Sequence, residues 1–163
     1  MKNILQSFLL PLILLIPLAA CAASATSLEK ILGQDGPPSG VIIEIVTGDQ
    51  EGLSWALPLA KTYIKQLRQQ FPKLPIAIVT HGQEQFALQK SRAGTQQKVH
   101  SLTRSLKKDD VPLHLCGAYA GRKGLVEEDF PEYVDVAPAG PAQVNDYLAL
   151  DYKLLVINSR SKK

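Results

Sequence analysis

Residues 41–47 read Val-Ile-Ile-Glu-Ile-Val-Thr, a β-branched run that is apolar at almost every position. A strand with one wet face alternates apolar and polar residues. A run without alternation has to be covered on both faces, as in a parallel sheet packed between helices. Similar runs recur at residues 76–80, 111–116, 133–136 and 152–157. Between the first two lies a stretch with Leu53, Ala56, Leu57, Ala60, Ile64 and Leu67 at helical spacing, ended by Phe71-Pro72. A second helical pattern carries Val99, Leu102, Thr103 and Leu106, and residues 142–150 form a third. This alternation predicts an α/β fold: a single three-layer domain with a mainly parallel five-stranded sheet and helices on both faces.

The chain begins with Met1-Lys2-Asn3, then an apolar run to Ala20 that is interrupted by Pro11 and Pro17, then small residues. A charged start, an apolar stretch and small residues form the layout of an export signal. The run is too short and too broken for a spanning helix, which needs ~20 apolar residues. Leu18-Ala19-Ala20-Cys21 resembles the lipobox of bacterial lipoproteins, which implies lipidation at Cys21 and a membrane anchor through its acyl chains. Ordinary cleavage after a small-x-small site is the alternative. With Ala22 rather than aspartate following, the resemblance points to the outer membrane facing the periplasm. The expected organisation is a signal peptide over 1–20, a lipidated N-terminus and flexible linker over 21–40 with a brief helical turn at Leu28–Leu32, the domain over 41–158 and a basic tail over 159–163.

Charge narrows the function classes. The 18 Lys and Arg, with Lys2 in the leader, stand against 15 Asp and Glu, so no nucleic-acid partner is expected. No Gly-x-Gly-x-x-Gly, P-loop, nucleophile-elbow serine, zinc-protease or paired-cysteine motif is present, and no cofactor is expected. With Cys21 lipidated or removed, Cys116 is the one remaining thiol of an exported chain. An unpaired cysteine in an oxidising compartment is either a reactive thiol or a buried, inert one.

Position favours reactivity. In parallel α/β sheets, ligands bind at the carboxyl edge, where the loops after the strands emerge. Three loops qualify: Gly48-Asp49, His81-Gly82 and Cys116-Gly117. Around Cys116 the candidate substrate-binding residues are Asp49, His81, Gly117, Tyr119 and Arg122. Gly117 is expected to let the chain turn sharply, so that amides of the following segment face the sulfur, and Arg122 and Lys123 are candidate positive neighbours. Asp49 has a second expectation, capping the first long helix. His114 and Cys116 share a strand face and could hold a soft metal, although two ligands are too few for a firm site. His100, on a polar helix, is expected to be solvated.

The strand ending in Cys116, followed by Gly117-Ala118-Tyr119-Ala120 and Arg122-Lys123-Gly124, resembles the DsrE/DsrF-like sulfur-relay family. Residues 43–48, Val136-Ala137-Pro138-Ala139-Gly140 and the final helix and strand also match, so the resemblance spans about the whole domain. It implies a five-stranded parallel sheet, assembly into homo-oligomers such as trimers or hexamers, and a persulfide carried on Cys116 between a sulfur donor and an acceptor protein. The relay members are cytoplasmic, whereas this chain has an export-type leader, a departure that points away from tRNA thiolation. Two function classes follow: an enzyme or carrier holding sulfur on Cys116, or a non-catalytic binding protein using the same crevice for a small ligand or soft metal.

Overall fold

The computed structural model describes residues 26–162. Residues 1–25, on which the expected leader and the lipidation of Cys21 fall, lie outside the described residues. Five strands form one sheet in the order β4-β3-β2-β1-β5: β1 (Gly40–Val46), β2 (Ile76–Thr80), β3 (Leu113–Cys116), β4 (Asp135–Ala137) and β5 (Tyr152–Asn158). All four pairings are parallel, and β1 and β2 register as Val41 with Ile76 through Ile45 with Thr80. The fold class inferred from the apolar runs is therefore the observed one.

The two faces of the sheet differ. On one, Val41, Ile43, Ile45, Ile78, Leu115 and Ile157 join a large core under α2 (Leu53–Gln70) and α3 (Gln97–Lys108). The six apolar α2 residues expected to point inward are all buried. On the other face a single helix, α5 (Gly140–Ala149), covers Ile42, Ala77, Val79 and Leu154 with its Val144. The helix starts two residues before the expected position 142, because Pro141 suits a first helical turn, where its missing N–H costs nothing.

The segment expected to be a flexible linker is structured from residue 27 onward. Ser27 caps α1 (Leu28–Leu32) through a 3.2 Å bond from the Lys30 amide to its hydroxyl. Leu28 and Ile31 enter the main core, and the Thr26 amide donates to the Leu154 carbonyl at 2.8 Å on the outer edge of β5. Burial of two apolar side chains outweighs the chain's freedom here, and the bond to Leu154 occupies part of an otherwise open strand edge.

Candidate functional site

The carboxyl edge of the sheet opens into a cleft of about 510 Å³. Gly48 after β1, His81 after β2 and Cys116 at the end of β3 line it, so the three strand-end loops singled out by sequence do converge. Gly48 makes the turn out of β1 at φ +78°, a conformation that side chains resist. Tyr119 and Arg122, from and after the short helix α4 (Gly117–Gly121), form a second wall. Ala139 and Pro141 at the start of α5 form a third.

Cys116 is a free thiol, 5 % exposed, in the lining of this cleft. Its peptide is held on both sides by one side chain. The Cys116 amide donates to Gln85 Oε1 and Gln85 Nε2 donates to the Cys116 carbonyl, each at 3.1 Å. The β2–β3 ladder ends at Thr80 and Leu115, and the Gln85 amide takes over where β2 has turned away. The neighbouring Glu84 is fully buried and accepts four bonds: from the Thr47 amide (3.0 Å) and hydroxyl (3.1 Å), the Thr80 hydroxyl (2.7 Å) and the Gly82 amide (2.8 Å). Two consecutive residues of one 3-10 turn (Gln83–Leu88) thus tie down the ends of β1, β2 and β3. A buried carboxylate is tolerable only when its lone pairs are met, as they are here.

His81 Nε2 donates to Glu44 Oε1 at 2.7 Å, and both side chains are mostly shielded. Glu44 is the one charge in the β1 run and shares the α5 side with Ile42 by strand alternation. The ring rests against α5: a Cβ added to Gly140 would fall 2.4 Å from His81 Cβ and 3.2 Å from Cδ2. With Nε2 bonded to the carboxylate, Nδ1 is the acceptor nitrogen of the neutral imidazole.

The other predicted residues divide. Gly117 shapes the site through close packing rather than a sharp turn: its φ is not positive, and an added Cβ would lie 3.0 Å from the Ala137 carbonyl. The Ala118 amide donates to the Pro138 carbonyl at 2.9 Å, so that N–H is turned away from the sulfur. Asp49 is exposed, does not line this cleft, and does not cap α2, whose first turn follows Gly52 without a side-chain cap. His114 shares the face of Cys116, but its Nε2 shares a 2.9 Å hydrogen bond with the Tyr147 hydroxyl under α5. Burial holds its pKa below the ordinary value, against an opposing pull from Asp135. No group of three or more metal-ligating side chains occurs among the described residues, so the His114–Cys116 pair finds no third ligand there.

His100 is fully buried, contrary to the solvated position expected for it. Nε2 donates to the Ala87 carbonyl at 3.0 Å, and the other ring nitrogen accepts from the Tyr133 hydroxyl. Desolvation is the largest cause of its lowered pKa. Both nitrogens find partners on elements distant in sequence, which the helix pattern alone does not reveal.

Sequence inspection missed Glu44, Glu84 and Gln85. Only Glu44 carried a signal, as a lone carboxylate within an apolar strand. The amides and carboxylate of the 3-10 turn look like any polar surface segment.

Comparison with curated proteins finds no match. Among solved structures, the chain is similar to MTH1491 of Methanobacterium thermoautotrophicum, a protein of unknown function, with a TM-score of 0.55 at 18 % identity over 72 % of this chain and 97 % of that one. It is similar also to the ychN protein of E. coli, with a TM-score of 0.54 at 18 % identity over 72 % and 99 % of the two chains. Both likenesses concern the fold. The family model that matches residues 42–157 takes in part or all of every strand of the sheet and the whole lining of the cleft with Cys116, and the chain thus belongs to the DsrE/DsrF-like family.

Proposed function

We propose that Cys116 is a nucleophilic sulfur carrier that accepts sulfane sulfur as a persulfide and passes it on. The observation that carries this is the placement of the thiol in a cleft at the carboxyl edge of the sheet, whose lining it shares with a histidine held by Glu44. In the forward step the Cys116 thiolate attacks the outer sulfur of a persulfide donor, R–S–SH. The donor S–S bond breaks, a new S–S bond forms on Cys116, and R–S⁻ leaves, so no external oxidant is consumed. His81 accepts the thiol proton as the thiolate forms and returns it to the departing thiolate. Gln85 is a positioning residue, keeping the Cys116 backbone in register as its sulfur changes partners.

The test is to incubate the reduced protein with a sulfane-sulfur donor and weigh it intact. A gain of one sulfur, reversed by reductant and absent in Cys116→Ser, supports the carrier. An unmodified, unreactive Cys116 overturns it and leaves the cleft as a small-ligand binding pocket.

The proposal extends to location and assembly. The mature chain starts at an acylated Cys21 outside the cytoplasm and works as a homo-oligomer. Mass spectrometry of the mature N-terminus checks the first, and an unlipidated start beyond Cys21 refutes it. Sedimentation at high concentration checks the second, and a strictly monomeric profile refutes it.

A further inference from the structure

Beside the Cys116 cleft lies a second, smaller one of about 320 Å³, lined by Phe86, Arg92, Lys123 and Leu125 among others. Gln83 lines both. The rings of Phe86 in one cleft and Tyr119 in the other pack with centroids 5.3 Å apart, forming a common wall. The two are lobes of one groove, with Cys116 in the larger.

The charge along this groove is one-sided. Its walls carry Arg92, Arg122 and Lys123 and not one carboxylate. Arg92 is partly neutralised by Glu51 at 3.4 Å, with Gln50 also in reach at 3.4 Å. Arg122 and Lys123 are exposed and have no ion-pair partner among the described residues. The carboxylates nearest the thiol by topology are both engaged, Glu44 by His81 and Glu84 by its four donors. A net-positive groove leading to a thiol attracts an anion and repels a cationic thiol.

We propose that the lobe around Lys123 is a binding subsite for the anionic end of the sulfur donor, a small organic persulfide bearing carboxylates. Its sulfur lies at Cys116, its chain passes Gln83 over the Phe86–Tyr119 wall, and a carboxylate meets Lys123 and Arg92. The amide of Gln83 offers both a donor and an acceptor to a peptide-like linker. This site depends on the sulfur-carrier assignment for its role in the cell, but not for its ability to bind.

The experiment separates the two. Calorimetry at low salt compares S-methylglutathione, which carries two carboxylates and cannot transfer sulfur, with its diethyl ester, which has lost both negative charges. The acid should bind about threefold to tenfold more tightly than the ester, the range expected for a charge contact near a wet surface. Lys123→Glu, an exposed position whose folding is checked by circular dichroism, should remove most of that preference, Arg122→Glu in the adjoining lobe should reduce it less, and added salt should shrink it in the wild type. Equal affinity for acid and ester, binding of neither, or a preference untouched by Lys123→Glu overturns the subsite. A normal preference in a protein that never gains sulfur overturns the carrier alone.

Discussion

The two faces of the sheet are built from the same strands and do different work. Under α2 and α3, alternate residues of β1 are Val41, Ile43 and Ile45, all without exposed surface. On the α5 side the same strand presents Ile42 and then Glu44. β2 presents Ala77 and Val79 there, with His81 just past its end, and β3 presents His114 and Cys116. One ten-residue helix cannot cover what two longer helices cover, so the partly open face can hold polar side chains at tolerable desolvation cost. Stability is concentrated on one side, and the groups able to do chemistry collect where the other side meets the strand ends.

The sharpest way to break this comparison is to truncate one apolar residue on each face. Ile43→Ala should lose about 2–5 kcal/mol of unfolding free energy, as large-to-small changes in a closed core do. Val156→Ala, half-buried on the α5 side, should lose about 1 kcal/mol. Urea titration of both variants gives the difference, and equal losses would refute the asymmetry.

Glu84→Gln probes the joint between the faces. An amide cannot accept from all four donors that the carboxylate serves, and a buried donor left unmet costs about 1–3 kcal/mol. Because the same turn holds the Cys116 peptide, hydrogen exchange of the Cys116 amide should also accelerate. A stability loss with unchanged exchange there would separate the core from the site.

A smaller effect is expected from Gly140→Ala. The added methyl must displace His81, at an overpacking cost of about 1–2 kcal/mol. Cys116 should then react more slowly with small sulfur donors, while Ile43→Ala leaves that rate unchanged in the fraction that remains folded. If Gly140→Ala destabilises the fold and the Cys116 rate stays the same, His81 has no part in the chemistry.

The smallest expected effect is a pH slope. Burial lowers the pKa of both His100 and His114 from the ordinary 6.5. The unfolded chain therefore takes up protons at a higher pH than the folded one. Stability should be full above about pH 7 and fall as acid is added through the ordinary histidine range, levelling off only below the folded-state values. Denaturant midpoints between about pH 8 and about pH 5 measure it, and His114→Gln should make the slope shallower. A midpoint that rises on acidification would contradict the buried, neutral state of these rings.

The strand runs, the helical spacing of α2 and the convergence of three strand-end loops were legible in the sequence. Each follows from a short-range rule: a strand buried on both faces must be apolar throughout, and a helix must face its core every three or four residues. Cys116 was legible for the same reason, as the last residue of such a run. Glu44 was half legible, as a charge in an apolar strand that needs a partner, but nothing local names His81, 37 residues later. The grip of Gln85 on Cys116, the four bonds of Glu84, the burial of His100 and the docking of α1 belong to tertiary structure alone. Each depends on groups brought together across the sheet, and a side chain's hydrogen-bond partner is set by which elements pack, not by its neighbours in the chain.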